Sequence, residues 1–449
     1  MSHGPNIFLV TSYYLSLLIT FPAYSQPLAA AVEAALKTNP EILIATDRRL
    51  VTEEQLNEAK SGYLPKLDLN LGGGRERSQN VSTRPGSNSL WRREAGLTLS
   101  QMLYDGAGTR SEVDRQQARV KSAALNLVAT TEQIALGTVE AYLDVLRQHE
   151  KVELASDNLA AHQRTFEQIK RRIENGVSRQ ADLGQTKARL ALAQASTIAS
   201  ESELMNATSA FIKIVGDYPV NLIRPAVEMQ LPFTLEEALT IAADNHPALR
   251  SARSDIEIAQ AQTRVAESAM LPRVDLELGS SWNDNQNGVA YKNNDTFAML
   301  RMRYNLFRGN ADTAKITESR LQTELATNEA SRVLRQVENS VRLSWNSLQA
   351  TDERLPKLKE RSDEAKLTRD HYIRQFSAGQ RTLLDLLDSE NELFSARSDY
   401  VDAVYVGIFA RHRLLADMGR LLYSFGVVPR EESNLAGTDI KALKSDIKP

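Results

Sequence analysis

The chain has 449 residues, with 54 lysines and arginines against 57 aspartates and glutamates, and therefore a formal net charge of −3. This near balance argues against a nucleic-acid-binding protein, which usually shows a basic excess. The absence of cysteine excludes a disulfide framework, thiolate catalysis, cysteine-ligated metal and lipid attachment through an N-terminal cysteine. The mean hydropathy of −0.37 is that of an ordinary soluble protein.

Residues 1–25 are predicted to be a secretory signal peptide. Residues 7–21 are apolar apart from small hydroxyl side chains, and Pro22, Ala23 and Ser25 supply a helix breaker and a small-residue cleavage site. No lysine or arginine precedes the apolar stretch, which a wrongly assigned start codon would explain. An N-terminal membrane anchor is the alternative. Export without cysteine is compatible with a bacterial periplasm or outer membrane.

Self-comparison reveals an internal repeat. Pro40 recurs as Pro247, and a Leu-Pro motif at Pro65 recurs at Pro272, both 207 residues later. An aromatic-x-Gly motif at residues 104–106 recurs 203 residues later at 307–309, and Gly-x5-Asp-Leu at 176–183 recurs at 379–386.

The repeat divides the chain into two copies of one unit. Residues 26–232 form the first copy and residues 233–428 the second, with prolines at 219, 225 and 232 marking the linker. Residues 429–449 are polar and are expected to form a flexible tail.

Each copy is predicted to contain a first helix that steps at an Asn-Pro or His-Pro pair, two strands, a long outgoing helix and a return helix. The long helices are rich in good helix formers, and about 68 residues of helix would extend roughly 100 Å. The predicted helices span 28–62, 107–174 and 179–215 in the first copy, and 310–376, interrupted near Pro356, and 380–424 in the second.

Four segments alternate apolar and polar residues, which predicts half-buried strands at about 64–72, 91–104, 271–280 and 295–307. Leu67, Leu69 and Leu71, for example, alternate with charged or amide residues. Such strands could pack on helices in a soluble bundle, or they could face lipid in a barrel. Four strands cannot close a barrel, whereas three copies of the chain would supply twelve.

This arrangement resembles the TolC family of bacterial outer-membrane export channels over about residues 26–425. The resemblance rests on the two-copy layout, the spacing of the Asn-Pro and Leu-Pro motifs, the aromatic-x-Gly motif and the sequence GQRTLLDLLD at 379–388. It implies a homotrimer with a shared twelve-stranded β-barrel in the outer membrane and an α-helical tunnel in the periplasm. It also implies docking to an inner-membrane ABC transporter or proton-driven pump through a periplasmic adaptor protein.

The resemblance also implies a closable entrance at the helix-hairpin tips, which Gly176 and Gly379 mark as helix stops. On this match, Asp385 and Asp388 correspond to acidic rings that narrow the entrance and attract cations. The alternative is that both aspartates simply favour the dipole at the start of a helix.

A latch at the same entrance is implied by further matches. Arg381 matches the family arginine that ties a tip to a neighbouring helix, and Asp182 is its candidate partner. Phe376 stands where the family's well-known member has tyrosine, so the hydroxyl hydrogen bond is lost there. Arg179 is a further candidate at the first tip, with solvated surface charge as its alternative role.

No constellation of residues predicts an enzyme, a cofactor or a metal site. The six histidines form no metal-binding spacing, and four of them fall in helical segments as exposed or packed side chains. A coiled-coil adaptor is the competing function, although an adaptor would have one helical hairpin rather than two complete copies. For an export duct, the stretch at 142–172 most resembles the branch that serves type I protein secretion, and a drug efflux pump is the alternative.

Overall fold

A computed structural model describes residues 26–226, 230–427 and 431–433. The predicted signal peptide lies outside these residues, as does almost all of the predicted tail. The described chain is mostly helical with four strands, and its elements occur twice in the same order.

The first copy contains four helices and two strands: α1 (Leu28–Thr38), α2 (Pro40–Ser61), β1 (Lys66–Ser78), β2 (Asn88–Tyr104), α3 (Gly108–Glu174) and α4 (Gln180–Val215). The second copy repeats the order as α5 (Leu235–Asn245), α6 (Pro247–Ser268), β3 (Arg273–Asp284), β4 (Lys292–Arg303), α7 (Ala311–Ser377) and α8 (Leu383–Asp417), and then adds the short helix α9 (Leu421–Ser424).

The step between the first two helices of each copy arises from proline at the first helical position. Pro40 begins α2, and the side chain of Asn39 accepts a hydrogen bond from the backbone N–H of Glu41 at 2.9 Å. Pro247 likewise begins α6 after His246, although the His246 side chain makes no capping hydrogen bond. Proline is favoured at this position because its missing N–H would have no partner within the helix.

Two helix boundaries differ from the sequence prediction. The predicted interruption of the outgoing helix was wrong, because α7 runs without a break through Pro356. Pro356 is exposed, so water can satisfy the carbonyl that loses its helical partner. The return helix ends at Asp417 rather than near 424, since Gly419 has φ +69° and a Cβ there would lie 2.9 Å from the carbonyl oxygen of Asn245.

The four strands form one antiparallel sheet in the order β1-β2-β3-β4. β1 and β3 extend beyond the predicted ends, because residues 73–78 and 281–284 pair with their neighbours instead of forming loops. The apolar alternation stops at those residues, so the sequence carries no strand signal where pairing continues. The connecting loops also contact each other, since Asn80 Nδ2 donates to the carbonyl oxygen of Asn287 at 2.8 Å.

The register separates the sheet into an apolar face and a charged face, as the alternation predicted. Leu67, Leu99 and Leu278 lie side by side in consecutive strands, and Leu69 pairs with Leu97 in the next row. On the other face, the carboxylate of Asp275 contacts both Arg273 and Arg303 at 2.9 and 3.0 Å.

The main core surrounds the middle of α3, where α1, α4, α8 and α9 pack against it. Tyr142 is fully buried there, and its hydroxyl accepts a hydrogen bond from the Ile223 N–H at 2.9 Å and lies 2.7 Å from the carbonyl oxygen of Gln26. Among the residues that the structure describes, no helix is both long enough and apolar enough to cross a membrane.

Candidate functional site at the hairpin tips

The two hairpin tips end their outgoing helices with the same backbone geometry. Gly176 and Gly379 have φ angles of +74° and +73°, in the left-handed region that glycine adopts without strain. After each glycine, the next backbone N–H returns to the helix: Val177 donates to Arg172 at 2.8 Å, and Gln380 donates to Gln375 at 2.9 Å. These are the paired hydrogen bonds of a glycine-terminated helix.

Asp182 and Asp385 lie in the first turns of the return helices, where each carboxylate accepts a hydrogen bond from the backbone N–H of the residue that precedes the helix. The carboxylate of Asp385 accepts from Thr382 Oγ1 at 2.8 Å, and Thr382 Oγ1 accepts from the Asp385 N–H at 3.2 Å. The Thr382 hydroxyl thereby holds the pKa of Asp385 below its usual value. Asp182 accepts from the Arg179 N–H at 3.1 Å. Both carboxylates thus stabilise a helix start within the chain, whereas a charged ring round an entrance stays a prediction.

Arg381 is held within its own hairpin. Its Nε donates to Gln375 Oε1 at 3.0 Å, its guanidinium lies 4.4 Å from the ring centroid of Tyr372, and Asp385 is 3.8 Å away. Within the described part of the chain, Arg381 and Asp182 form no ion pair. The latch between these two residues therefore stays a prediction.

Asp388 instead connects the two hairpins of one chain. Its Oδ1 lies 2.9 Å from Nη2 of Arg189, so that α8 is linked to α4. The side chains are 57% and 31% exposed. An ion pair with this exposure contributes about 0–1 kcal/mol.

Phe376 is the centre of a small core that fixes the second tip to α3. It is buried and packs with Ile169 of α3 and with a set of leucines at the start of α8. The guanidinium of Arg172 lies 4.8 Å above the Phe376 ring, within the range of a cation–π contact. The leucines are Leu383, Leu386 and Leu387.

Two more titratable groups are buried behind this core. Glu390 is 6% exposed, and its burial raises the pKa of its carboxyl although Arg369 lies 3.4 Å away. His162 on α3 is 5% exposed, and burial, together with the positive charge of Arg189, lowers the pKa of its imidazole. The second tip is therefore joined to α3 by apolar packing and by the contact of Arg172 with the Phe376 ring, while Arg369 and Glu390 link α7 to α8.

Sequence reasoning missed Arg189, Arg172, Tyr372 and the Arg369–Glu390 pair. Arg189 stands seven residues after Asp182, on the same face of α4, and this spacing is the one signal that could have drawn attention to it. Charge alone does not identify a partner, because the sequence has several arginines within three turns of the tip.

Comparison with known proteins assigns the family. The family model for outer membrane efflux proteins matches residues 31–217 and 238–420, once in each copy. The chain belongs to this family. The resemblance to TolC channels is thereby confirmed, and the family is one of outer-membrane channels rather than of enzymes.

The relatives cover nearly the whole chain. The outer membrane efflux protein BepC of Brucella suis is 25% identical over 89% of this chain and 86% of its own length. The outer membrane protein TolC of Vibrio cholerae is 25% identical, over 89% and 92%. The alkaline protease secretion protein AprF of Pseudomonas aeruginosa is 23% identical, over 95% and 93%.

The fold is shared with solved structures. The Campylobacter jejuni CmeC outer membrane channel superposes with a TM-score of 0.78 at 15% identity, over 98% of this chain and 97% of that one. Within the described residues of this channel-family chain, no cluster of histidine, aspartate and glutamate could hold a metal ion.

Proposed function

We propose that three copies of the chain form an export channel in the bacterial outer membrane. The observation that carries this proposal is the four-stranded sheet, whose apolar face is open to the surroundings. Leu67, Leu71 and Leu300 on that face are 64%, 72% and 67% exposed. Burying such a face against the hydrocarbon of a membrane would stabilise the fold.

The sheet edges favour a trimer. β1 and β4 each pair with one strand of the chain, which leaves one edge of each strand to be satisfied. An open edge is not tolerated in hydrocarbon, so β1 of one copy would pair with β4 of the next. Three copies then close a barrel of twelve strands, with Asp275, Arg301 and their neighbours lining a polar lumen.

The helices would continue the channel as a tunnel into the periplasm. α3 and α7 have 67 residues each, and a helix of that length extends about 100 Å. Their ends carry the hairpin tips, which place the candidate entrance far from the sheet. Docking there to an inner-membrane ABC transporter or proton-driven pump, through a periplasmic adaptor protein, completes the route out of the cell.

The entrance is proposed to open by separation of the α7–α8 tip from α3 and α4. When the entrance is closed, the tip is held by the Arg189–Asp388 ion pair and by the contact of Phe376 with α3. In a trimer, Asp385 and Asp388 would place six carboxylates round the mouth and attract cations. Arg381 would contact Asp182 of a neighbouring copy.

Type I protein secretion is the proposed role, with AprF, named for protease secretion, as support among the relatives. Efflux of drugs or other small molecules is the alternative, favoured by the name of BepC. Deleting the gene distinguishes the two: loss of a large protein from the medium with unchanged drug susceptibility supports secretion. Increased susceptibility with unchanged secreted proteins would contradict it.

The channel itself is tested by purification from the outer-membrane fraction and reconstitution in planar bilayers. We expect trimers that dissociate to monomers on heating in detergent, and discrete conductance steps. A monomer in the periplasmic fraction, without conductance, would contradict the proposal and favour a soluble coiled-coil adaptor.

The entrance is tested by removing its charges. The double variant Asp385→Asn/Asp388→Asn should lose cation preference, seen as a reversal potential near zero across a salt gradient. Asp363→Asn, which removes an exposed carboxylate further along α7, is the matched control and should keep the preference. A reversal potential equal to that of the unmodified channel in the double variant would remove the acidic-ring assignment.

A further inference from the structure

The apolar face of the sheet changes character at the end that bears the loops. Leu71, Ala95 and Trp282 lie side by side in the last mainly apolar row. In the next row toward the loops, the same face carries Arg93 and Lys292. Because side chains alternate between faces, these cations stand directly above the apolar band.

Two further arginines follow on the same face of β1. Arg75 pairs in register with Trp91, and Arg77 pairs with Ser89. Each arginine is exposed, and the Nε atoms donate to Ser89 Oγ and Ser87 Oγ at 3.0 Å. We call Arg75, Arg77, Arg93 and Lys292 the basic rim.

The basic rim lacks the carboxylate partners that arginines have on the opposite face. Arg92, adjacent in sequence but facing the other way, is paired with Glu76 and Glu94 at 3.0 and 2.5 Å. By contrast, no member of the basic rim has an ion-pair partner in the described ranges of the chain. Asp284 lies between Arg93 and Lys292 in register, so the patch holds four cations and one carboxylate.

A shallow cavity of about 350 Å³ lies within this patch. Its charged lining residues are Arg93, Lys292, Asp284 and Glu94, and Trp282 and Asn294 also line it. Glu94 is already paired with Arg92 on the opposite face. The indole ring of Trp282 lies next to the cations Arg93 and Lys292. This combination suits a ligand that is apolar at one end and anionic at the other. Tryptophan is also enriched at the level where a membrane meets water.

The opposite end of the same face has no such charges. Its last row contains Tyr104, Val274 and Met302, and the row before it contains Gln101, Leu276 and Leu300. Cations therefore border the apolar band only at the loop end. A general need for solubility would not produce this asymmetry between the two ends.

We propose that the basic rim binds the phosphate groups of a phosphorylated glycolipid in the outer leaflet of the membrane. The inference rests on the proposed channel, because the helices then occupy the periplasmic side and the loop end faces outward. Arginine binds phosphate oxygens through paired hydrogen bonds, and lysine adds a point charge. The acyl chains of the same lipid would lie along Trp282 and the leucine rows below.

The proposal is tested with the full-length channel in nanodiscs of phosphatidylcholine, to which diphosphoryl lipid A is added. Binding of lipid A is measured by native mass spectrometry, and thermal stability is measured in parallel. The variant Arg93→Gln/Lys292→Gln should weaken lipid A binding about fivefold for each cation removed, because a cation near an anionic surface contributes about 1 kcal/mol. Lys66→Gln, at the helix end of β1, is the matched control and should bind like the unmodified protein.

Three outcomes would overturn the assignment. These are unchanged lipid A binding in the double variant, equal weakening in Lys66→Gln, and binding of phosphatidylglycerol as strong as that of lipid A. Failure of the proposed channel is seen separately, as absence of trimers and conductance, and it would overturn the orientation on which the basic rim depends. A conducting trimer that does not bind lipid A would contradict the assignment of the basic rim as a lipid site and would leave the proposed channel intact.

Discussion

The two return helices have nearly equal length but very different surroundings. α8 buries 14 of its 35 residues, whereas α4 buries five of 36. α8 packs against both α7 and α3, while α4 packs mainly against α3 alone. Sequence repetition has therefore produced one return helix inside the chain and one at its edge.

The exposed helix is the candidate contact surface for a second copy of the chain. Leu192, Ile198 and Met205 of α4 are 58%, 67% and 64% exposed and follow one another at spacings of six and seven residues. Ile198 and Met205, seven residues apart, lie on one face of the helix, whereas Leu192 lies about 120° round it. Exposed apolar side chains on an edge helix favour contact with a neighbouring chain.

The segments that follow the two return helices also differ. After α4, the linker is held by the hydroxyl of Tyr142 through Ile223. After α8, the start of α9 is held by Glu132, whose carboxylate lies 3.4 Å from the Leu422 N–H. Burial raises the pKa of Glu132 to about 7, so only the second contact changes protonation near neutral pH.

The largest effect is expected at the tip core of α8. Leu387→Ala removes a fully buried side chain and should destabilise the second tip by about 2–5 kcal/mol. Amide hydrogen exchange over residues 383–393 would measure this as loss of protection. Leu384→Ala, 47% exposed on the same turn, is the control and should leave protection almost unchanged. Equal loss in both variants would show that burial of Leu387 does not stabilise the packed helix at this tip.

The next effect concerns Glu132 and pH. Its pKa is raised from 4.5 to about 7 in the folded chain, so its contribution to stability is complete below 4.5 and is lost as the pH rises through 7. The free energy of unfolding of Glu132→Gln, relative to that of the unmodified protein, should therefore increase as the pH rises from 5 to 8. The increase should be at most about 3 kcal/mol. Melting temperatures at both pH values measure this difference.

Tyr142→Phe provides the pH control. Burial raises the pKa of Tyr142 above 10.0, so its hydroxyl stays protonated from pH 5 to pH 8. The loss of thermal stability that Tyr142→Phe causes should be the same at pH 5 and at pH 8. A pH-independent difference for Glu132→Gln would show that this carboxyl does not titrate in the folded chain.

A smaller effect is expected from the edge helix. Ile198→Ser removes exposed apolar surface from α4 and should weaken the trimer by about 1–2 kcal/mol per copy, while the fold of each chain is kept. The measurement is the temperature at which trimers dissociate in detergent. Val177→Ser, 72% exposed at the first tip, is the matched control. An unchanged dissociation temperature for Ile198→Ser would place the trimer contact elsewhere.

The smallest effect is expected for Arg189 and Asp388. A double-mutant cycle with alanine at both positions should give a coupling energy of about 0.2–1 kcal/mol, because both side chains are partly exposed. Closed-channel conductance should rise in each single variant. The Lys359–Asp363 pair within α7 serves as the control and should leave conductance unchanged. Additive effects at Arg189 and Asp388 would show that the pair does not hold the tip.

Most of the fold could be predicted from the sequence because the signals are repeated and periodic. The Asn-Pro step, the strand alternation and the glycine stops at 176 and 379 each predict a local conformation. Prediction failed where the conformation depends on a distant partner. The glycines at 73 and 74 lie in a strand because β2 pairs with them, and α8 ends early because Gly419 packs against Asn245.

The candidate site was predictable in position but not in its contacts. The tip motif located Asp385, Asp388 and Arg381, yet their partners within the chain are Thr382, Arg189 and Gln375. These pairings depend on how the two hairpins lie against each other, which one-dimensional spacing does not encode. The Arg381–Asp182 latch and the acidic rings are properties of an assembly of chains and stay predictions.

The central claim, that β1 of one copy pairs with β4 of another, is tested most directly by disulfide cross-linking. The chain has no cysteine, so any disulfide that forms must join the introduced cysteines. Leu69→Cys is combined in one chain with Cys at Thr296, Ala298 or Leu300, and outer membranes are oxidised before denaturing electrophoresis. We expect covalently linked trimers for at least one pair. Cross-linked monomers, in which β1 and β4 of the same chain have joined, would contradict the account.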